Sequence, residues 1–223
     1  MCWSAEADLV AGAGIAAVGV ACVARCREVR RLPMAALPLL LGAHQLVEAA
    51  VWHHGGGTGP ATVAWTVIAL PLLALWVPVG VLRAAPRDAR RRLALPLAAG
   101  VATAAALGYA LATRPMRAEV RGHTLGYVTD LPYPQVLVAG YLLATVGALL
   151  LSGDRGLRML GVLTAAGAPV CWALWRFEFV STWCAFAAVC SVVLFFWARG
   201  HPGRQSGDRG RGGGGRRPAR TAG

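Results

Sequence analysis

Eighteen of the 22 basic residues, every one an arginine, lie in alternate gaps between seven apolar segments. Few folds are compatible with that pattern. A helix that crosses a hydrocarbon core of ~30 Å needs ~20 mostly apolar residues. The segments 8–24, 33–52, 60–82, 93–113, 135–152, 157–175 and 177–198 meet that requirement. The chain therefore reads as an all-α polytopic membrane bundle of seven transmembrane helices. Only residues 153–156 separate the fifth and sixth segments, so a single broken hairpin is an alternative for that pair.

Cationic residues beside short loops are retained on the cytoplasmic side. Arg25, Arg27, Arg30 and Arg31 follow the first segment, and Arg83, Arg87, Arg90, Arg91 and Arg92 follow the third. Arg155 and Arg158 follow the fifth, and seven arginines follow the seventh, whereas the opposite gaps hold only Arg114, Arg117, Arg121 and Arg176. The expected orientation is N-terminus outside and C-terminus inside, in the inner (cytoplasmic) membrane. Belt aromatics agree, with Trp3, Trp52, Trp65 and Trp175 at outer ends and Trp76 and Trp197 at inner ones. Arginine without lysine, beside heavy alanine and glycine usage, suggests a GC-rich bacterial origin.

A net charge of +12 would point to nucleic acid in a soluble chain. Here it mostly repeats the topology signal, and anionic lipid headgroups on the cytoplasmic side are the expected partners. The chain divides into a transmembrane domain, 1–198, and an Arg/Gly-rich tail, 199–223, which has almost nothing apolar to bury and is expected to be disordered. RNA contact of the Arg-Gly-Gly type is the second reading of that tail.

Glu6 and Asp8 stand where a secretory signal needs positive charge, so the first helix is expected to stay uncleaved. The run Val10-Ala-Gly-Ala-Gly-Ile-Ala-Ala17 mimics a dinucleotide fingerprint but follows no strand, and its small residues suit close helix–helix approach instead. Six cysteines do not make a disulfide framework in a lipid-embedded chain. Cys22 and Cys26 share a helix face and read as small packing residues. Prolines at Pro38, Pro71, Pro78, Pro96 and Pro169 are expected to interrupt four helices and free backbone carbonyls.

Ionisable groups within a span are expensive and are functional candidates by default. The clearest lie in the second segment, where His44 and Glu48 are four residues apart and so share one face, bordered by Gln45 and Trp52. At ~1.5 Å per residue, Glu48 lies ~7 Å and His44 ~13 Å below the outer surface. Three readings compete for this stripe. One is a hydrogen-bonded seam between helices. The second is a zinc or other transition-metal site built from His44, Glu48, His53, His54 and Cys2. The third is a pocket for a small ligand or a proton.

The same side gathers Cys2, Ser4, Glu6 and Asp8 from the start of the first helix, and Arg176, Glu178, Ser181, Trp183 and Cys184 from the seventh. Loss of Met1 would give Cys2 a free amine beside its thiol, a bidentate ligand or nucleophile, and Cys2 and Cys184 are also candidates for one disulfide. The outer loop 114–134 carries His123 and is a candidate lid, its Leu131-Pro-Tyr-Pro134 end expected to be extended.

At Met1-Cys-Trp-Ser-Ala-Glu-Ala-Asp8, Leu37-Pro-Leu-Leu-Leu-Gly-Ala-His-Gln-Leu-Val-Glu-Ala-Ala-Val-Trp52 and Ser181-Thr-Trp-Cys-Ala-Phe-Ala-Ala188, the chain resembles an uncharacterised family of bacterial integral membrane proteins. Its members typically open Met-Cys-Phe-Ser-Ala, carry Gln-x-x-Glu before a Trp on the second helix, and end on a Ser-x-Trp-Cys-Phe-Phe-Ala helix. The resemblance marks Cys2, Ser4, Gln45, Glu48, Trp183 and Cys184, with Trp3 and Ala185 departing from its usual aromatic positions. It implies a domain of unknown function and names no reaction.

Two function classes follow. The first is a non-enzymatic sensor, carrier or small-ligand binder whose outer-half site is drawn from His44, Gln45, Glu48, Trp52, Ser4, Ser181, Trp183 and Cys184. The second is a metal-dependent membrane hydrolase with Glu48 as base. The sequence carries no catalytic triad, His-Glu-x-x-His helix or phosphate loop, which favours the first class.

Overall fold

The computed structural model describes residues 4–114, 116–122, 124–128, 131–174 and 179–199, with side chains left out at 124, 168, 170–174 and 179–185. Within those bounds the chain runs as α1 (Ala5–Arg25), α2 (Val29–His53), α3 (Pro60–Ala84), α4 (Arg87–Thr113), a hairpin of β1 (Arg117–Arg121) and β2 (Thr124–Val128), then α5 (Pro134–Leu151), α6 (Arg155–Leu174) and α7 (Phe179–Arg199). The first five helices are each long and apolar enough to cross a membrane. Their outward faces carry Val10, Val20, Val63, Leu95, Val101 and Val138, all exposed. In water such surface would be a liability, whereas lipid tolerates it. The chain is accordingly a membrane protein.

The core lies toward one end of the bundle, where Met34, Val77, Val81, Leu93, Leu149, Leu157, Leu194 and Trp197 pack together. Three interhelical turns and the end of α7 meet there. Asp154 Oδ1 accepts from the backbone N–H groups of Gly156 (2.8 Å) and Leu157 (3.1 Å), capping α6, and from Trp197 Nε1 (2.9 Å). Trp76 Nε1 donates to the Pro33 carbonyl (2.9 Å), tying α3 to α2. The fifth and sixth segments are thus two helices joined by a capped turn rather than one broken hairpin. Because this end holds Arg31, Arg92, Arg155 and Arg199, the alternate gaps that collect arginine lie together in space.

α1 and α2 pack backbone to backbone. A Cβ added at Gly19 would fall 2.5 Å from the Leu39 nitrogen, and one at Gly42 would fall 2.6 Å from the Ala16 nitrogen. Gly12 is also tight against Leu46, whereas Gly14 faces open space. The fingerprint-like run is therefore a helix–helix contact, as expected from its small residues. The outcome for function is positional: the contact brings the start of α1 against the last turns of α2.

The prolines act less uniformly than their number predicts. Pro38 sits in the first turn that follows a break at Ala36, which suits its missing N–H. Pro71 lies in a π-helical turn, Ile68–Leu72, and the Tyr141 hydroxyl donates to the carbonyl of Ala69 there (2.8 Å). Pro78, Pro96 and Pro169 lie inside helices that continue through them. α5 has a second π turn, Leu143–Gly147, with no proline in it.

Candidate functional site

The end of the bundle opposite the arginine-rich end is closed by the hairpin, whose β1 carries Arg117 and Arg121. β1 and β2 pair antiparallel with Glu119 opposite Gly126 and Ala118 opposite Tyr127. The hairpin is moored to the α2–α3 turn by two backbone hydrogen bonds, Gly57 N–H to the Ala118 carbonyl (2.7 Å) and Ala118 N–H to the Gly57 carbonyl (2.9 Å). Thr62 on α3 braces the same turn by donating to the Gly57 carbonyl (3.0 Å). Gly56 needs its φ of +81°, and its lack of a Cβ leaves room for the Ala118 carbonyl. Candidate lid residues thus form an ordered strand pair. The end expected to be extended instead turns at Tyr133, whose φ of 50° is left-handed, and the helix of α5 starts immediately after it.

Under the hairpin lies a polar cluster built on two helices. Asp8 from α1 and Glu48 from α2 are both 0% exposed, Gln45 is 2% and His44 8%. Asp8 and Glu48 are close enough to interact electrostatically, and the Trp52 indole N–H lies near the Asp8 carboxylate without closing a hydrogen bond to it. Gln45 Nε2 donates to Glu48 Oε2 and the Tyr127 hydroxyl donates to Glu48 Oε1, each at 3.5 Å. Both contacts are long by the ordinary measure of such bonds.

Aromatic rings form the rest of the wall. Tyr127 lies flat on Trp65, with 3.5 Å between ring centroids and 6° between planes, and His44 leans on the same Trp65 indole at 4.7 Å and 39°. Val51, Ala118 and Leu125 seal the rings from outside. Six buried polar atoms here have no hydrogen-bond partner among the described residues: both Asp8 carboxylate oxygens, Gln45 Oε1, His44 Nε2, and the indole nitrogens of Trp52 and Trp65. Native structures leave few such atoms, each of which costs about 1–3 kcal/mol, so their concentration in one place makes this cluster the candidate site.

Of the residues expected from the sequence, His44, Gln45, Glu48 and Trp52 are thus brought together. The Ser4 hydroxyl oxygen accepts from the Ala7 N–H (3.2 Å) and caps α1. His53 and His54 are exposed at the end of α2, and His54 Nδ1 contacts the Ala50 carbonyl at 2.6 Å. Among the described residues no three His, Cys, Asp or Glu side chains gather to hold a metal ion. Cys2, His123, Arg176 and Glu178 lie outside the described residues, as do the side chains of Ser181, Trp183 and Cys184 and the tail from 200 onward.

Three wall residues were not among the sequence candidates for ligand binding. Asp8 had a signal, since it is an ionisable group in an apolar run. Trp65 looked like a belt residue, and Tyr127 is positioned only by the hairpin register, which no periodicity in its sequence announces.

No curated protein and no solved structure matches the chain. Residues 1–209, which include every element of the bundle and all the residues of this cluster, match the model of a family of unknown function, DUF6629, and the chain belongs to that family.

Proposed function

We propose that the protein is a non-enzymatic membrane receptor or carrier that binds a small organic cation, a protonated amine, beneath the hairpin. The observation that carries this reading is the pairing of acceptor excess with aromatic walls. Asp8, Glu48 and Gln45 Oε1 offer negative or partly negative oxygen, two carboxyl groups being buried side by side. A buried pair of that kind is costly unless a positive charge accompanies it. Trp52, Trp65 and Tyr127 bring aromatic rings to the same cluster, and a ring face outside the Trp65–Tyr127 stack would attract a cation through its quadrupole and shelter its carbon atoms.

A divalent metal would need three or more such ligands in one shell, and the described residues offer no such group. An ammonium needs less, because its N–H groups reach individual acceptors at hydrogen-bond distance. With the arginine-bearing end in the cytoplasm, as the charge pattern expects, the site lies in the outer half of the bundle, beneath the hairpin.

The test is thermal unfolding of detergent-purified protein against methylammonium, ethylammonium, choline and tetramethylammonium, with sodium and zinc beside them. The reading requires that at least one organic cation raise the transition temperature of the wild type and not that of Asp8→Asn. Stabilisation by zinc alone would favour the metal-dependent reading instead.

A further inference from the structure

The arginine-bearing end holds a second site of opposite chemistry. Where α1 ends, α2 begins and α7 ends, a cleft of about 430 Å3 opens, walled by Arg25, Cys26, Arg27, Glu28, Arg31 and Arg199. That volume is within the ~300–1,000 Å3 range of small-ligand sites.

Aromatic faces position three of the guanidiniums. Arg25 and Arg199 lie 5.3 Å and 5.1 Å from the Phe195 ring centre, and Arg31 lies 5.1 Å from that of Trp197. Arg31 Nε also pairs with Glu28 Oε2 at 3.3 Å. Arg27 is exposed and makes no ion pair among the described residues. The Cys26 thiol donates to the Glu28 carbonyl (3.4 Å) and is partly exposed in the wall.

Helix-end electrostatics account for part of this, because cations offset the carbonyl ends of α1 and α7. They do not account for four guanidiniums around one cleft with a single carboxylate among them. Like charges gathered so closely repel, and a multivalent oxyanion removes the repulsion while filling the fork-like donors of arginine. We propose that this cleft binds a phosphate-bearing anion through Arg25, Arg27, Arg31 and Arg199. The anion is either the headgroup of an acidic phospholipid or free phosphate, and the two share the chemistry the cleft recognises.

Full-length protein stripped of co-purified lipid is exposed to inorganic phosphate, or reconstituted in phosphatidylglycerol or phosphatidylcholine nanodiscs. Alkylation of Cys26 by N-ethylmaleimide, followed by peptide mass spectrometry, reads occupancy, and calorimetric titration with phosphate and with short-chain phosphatidylglycerol gives a second reading independent of the thiol. At a probe concentration ten times its Kd, Cys26 alkylation is expected to slow by about tenfold. The protection and the binding heat are lost in Arg25→Gln/Arg27→Gln and kept in Arg87→Gln/Arg91→Gln, which removes equal charge from the same end. Protection by phosphate in detergent identifies a free anion; protection in phosphatidylglycerol but not phosphatidylcholine identifies a headgroup. Absence of binding by both readouts, or equal loss in both double variants, overturns the proposal. Arg27→Gln alone repeats the test if the first double variant loses its thermal transition.

Discussion

Tyr127 lies face to face on Trp65 and directs its hydroxyl to Glu48, a residue 79 positions earlier in the chain. One side chain thereby joins the hairpin, α3 and α2 over the buried carboxyl pair. The hairpin thus packs over the buried carboxyl pair as well as connecting α4 and α5. Tyr127→Phe keeps the stack and removes the hydroxyl, and is expected to lower stability by about 0.5–1.5 kcal/mol. Tyr127→Ala also removes the ring contact, adding roughly 0.5–1.5 kcal/mol beyond lost area. Tryptophan quenching by acrylamide checks the geometry, since only the alanine variant should expose Trp65.

Asp8→Asn is nearly isosteric and removes one of two neighbouring buried carboxyl groups. Its effect on the unliganded protein is expected to be neutral or stabilising, by up to about 1–4 kcal/mol, because a costly buried charge is lost. Ligand-dependent stabilisation should vanish in the same variant. Melting curves with and without an organic ammonium separate the two effects.

The α1–α2 contact is expected to tolerate nothing larger than hydrogen at two positions. Gly19→Val and Gly42→Val place carbons against backbone atoms that cannot yield without moving a helix, at a cost of roughly 1–3 kcal/mol or more. Gly14→Ala meets open space and should be neutral in packing. Because α1 carries Asp8, the valine variants should lose cation binding together with thermal stability.

Much of this architecture was legible in the sequence. Apolar run length and arginine alternation are properties of one-dimensional pattern, so helix positions followed from them: the run 60–82 became Pro60–Ala84 and the run 135–152 became Pro134–Leu151. His44, Gln45 and Glu48 were legible because a polar residue inside a span stands out on one helix face. The hairpin was not, since Arg117, Glu119 and Arg121 alternate with small or apolar residues over too few positions to be told from a loop. Tyr127 and Trp65 depend on strand register and on the Gly57–Ala118 mooring, which are contacts between distant parts of the chain. Ser4 lies near the site in sequence, and its hydroxyl serves the end of its own helix.

Asp154 is expected to be a stability residue of the arginine-bearing end. Asp154→Ala removes the cap of α6 and the partner of Trp197 together, at about 1–3 kcal/mol. Asp154→Asn keeps a side-chain oxygen and should recover part of the loss. Near-ultraviolet circular dichroism, which reports the fixed setting of Trp197, distinguishes the two variants.

The most direct test of the cation site is calorimetric titration of purified wild-type protein, Asp8→Asn and Glu48→Gln with the organic ammonium that gives the largest thermal stabilisation. Saturable one-to-one binding to the wild type, weakened by roughly tenfold or more in each variant with folding intact, is the predicted result. Absence of binding by every ammonium tried, or equal binding to all three proteins, would contradict the account.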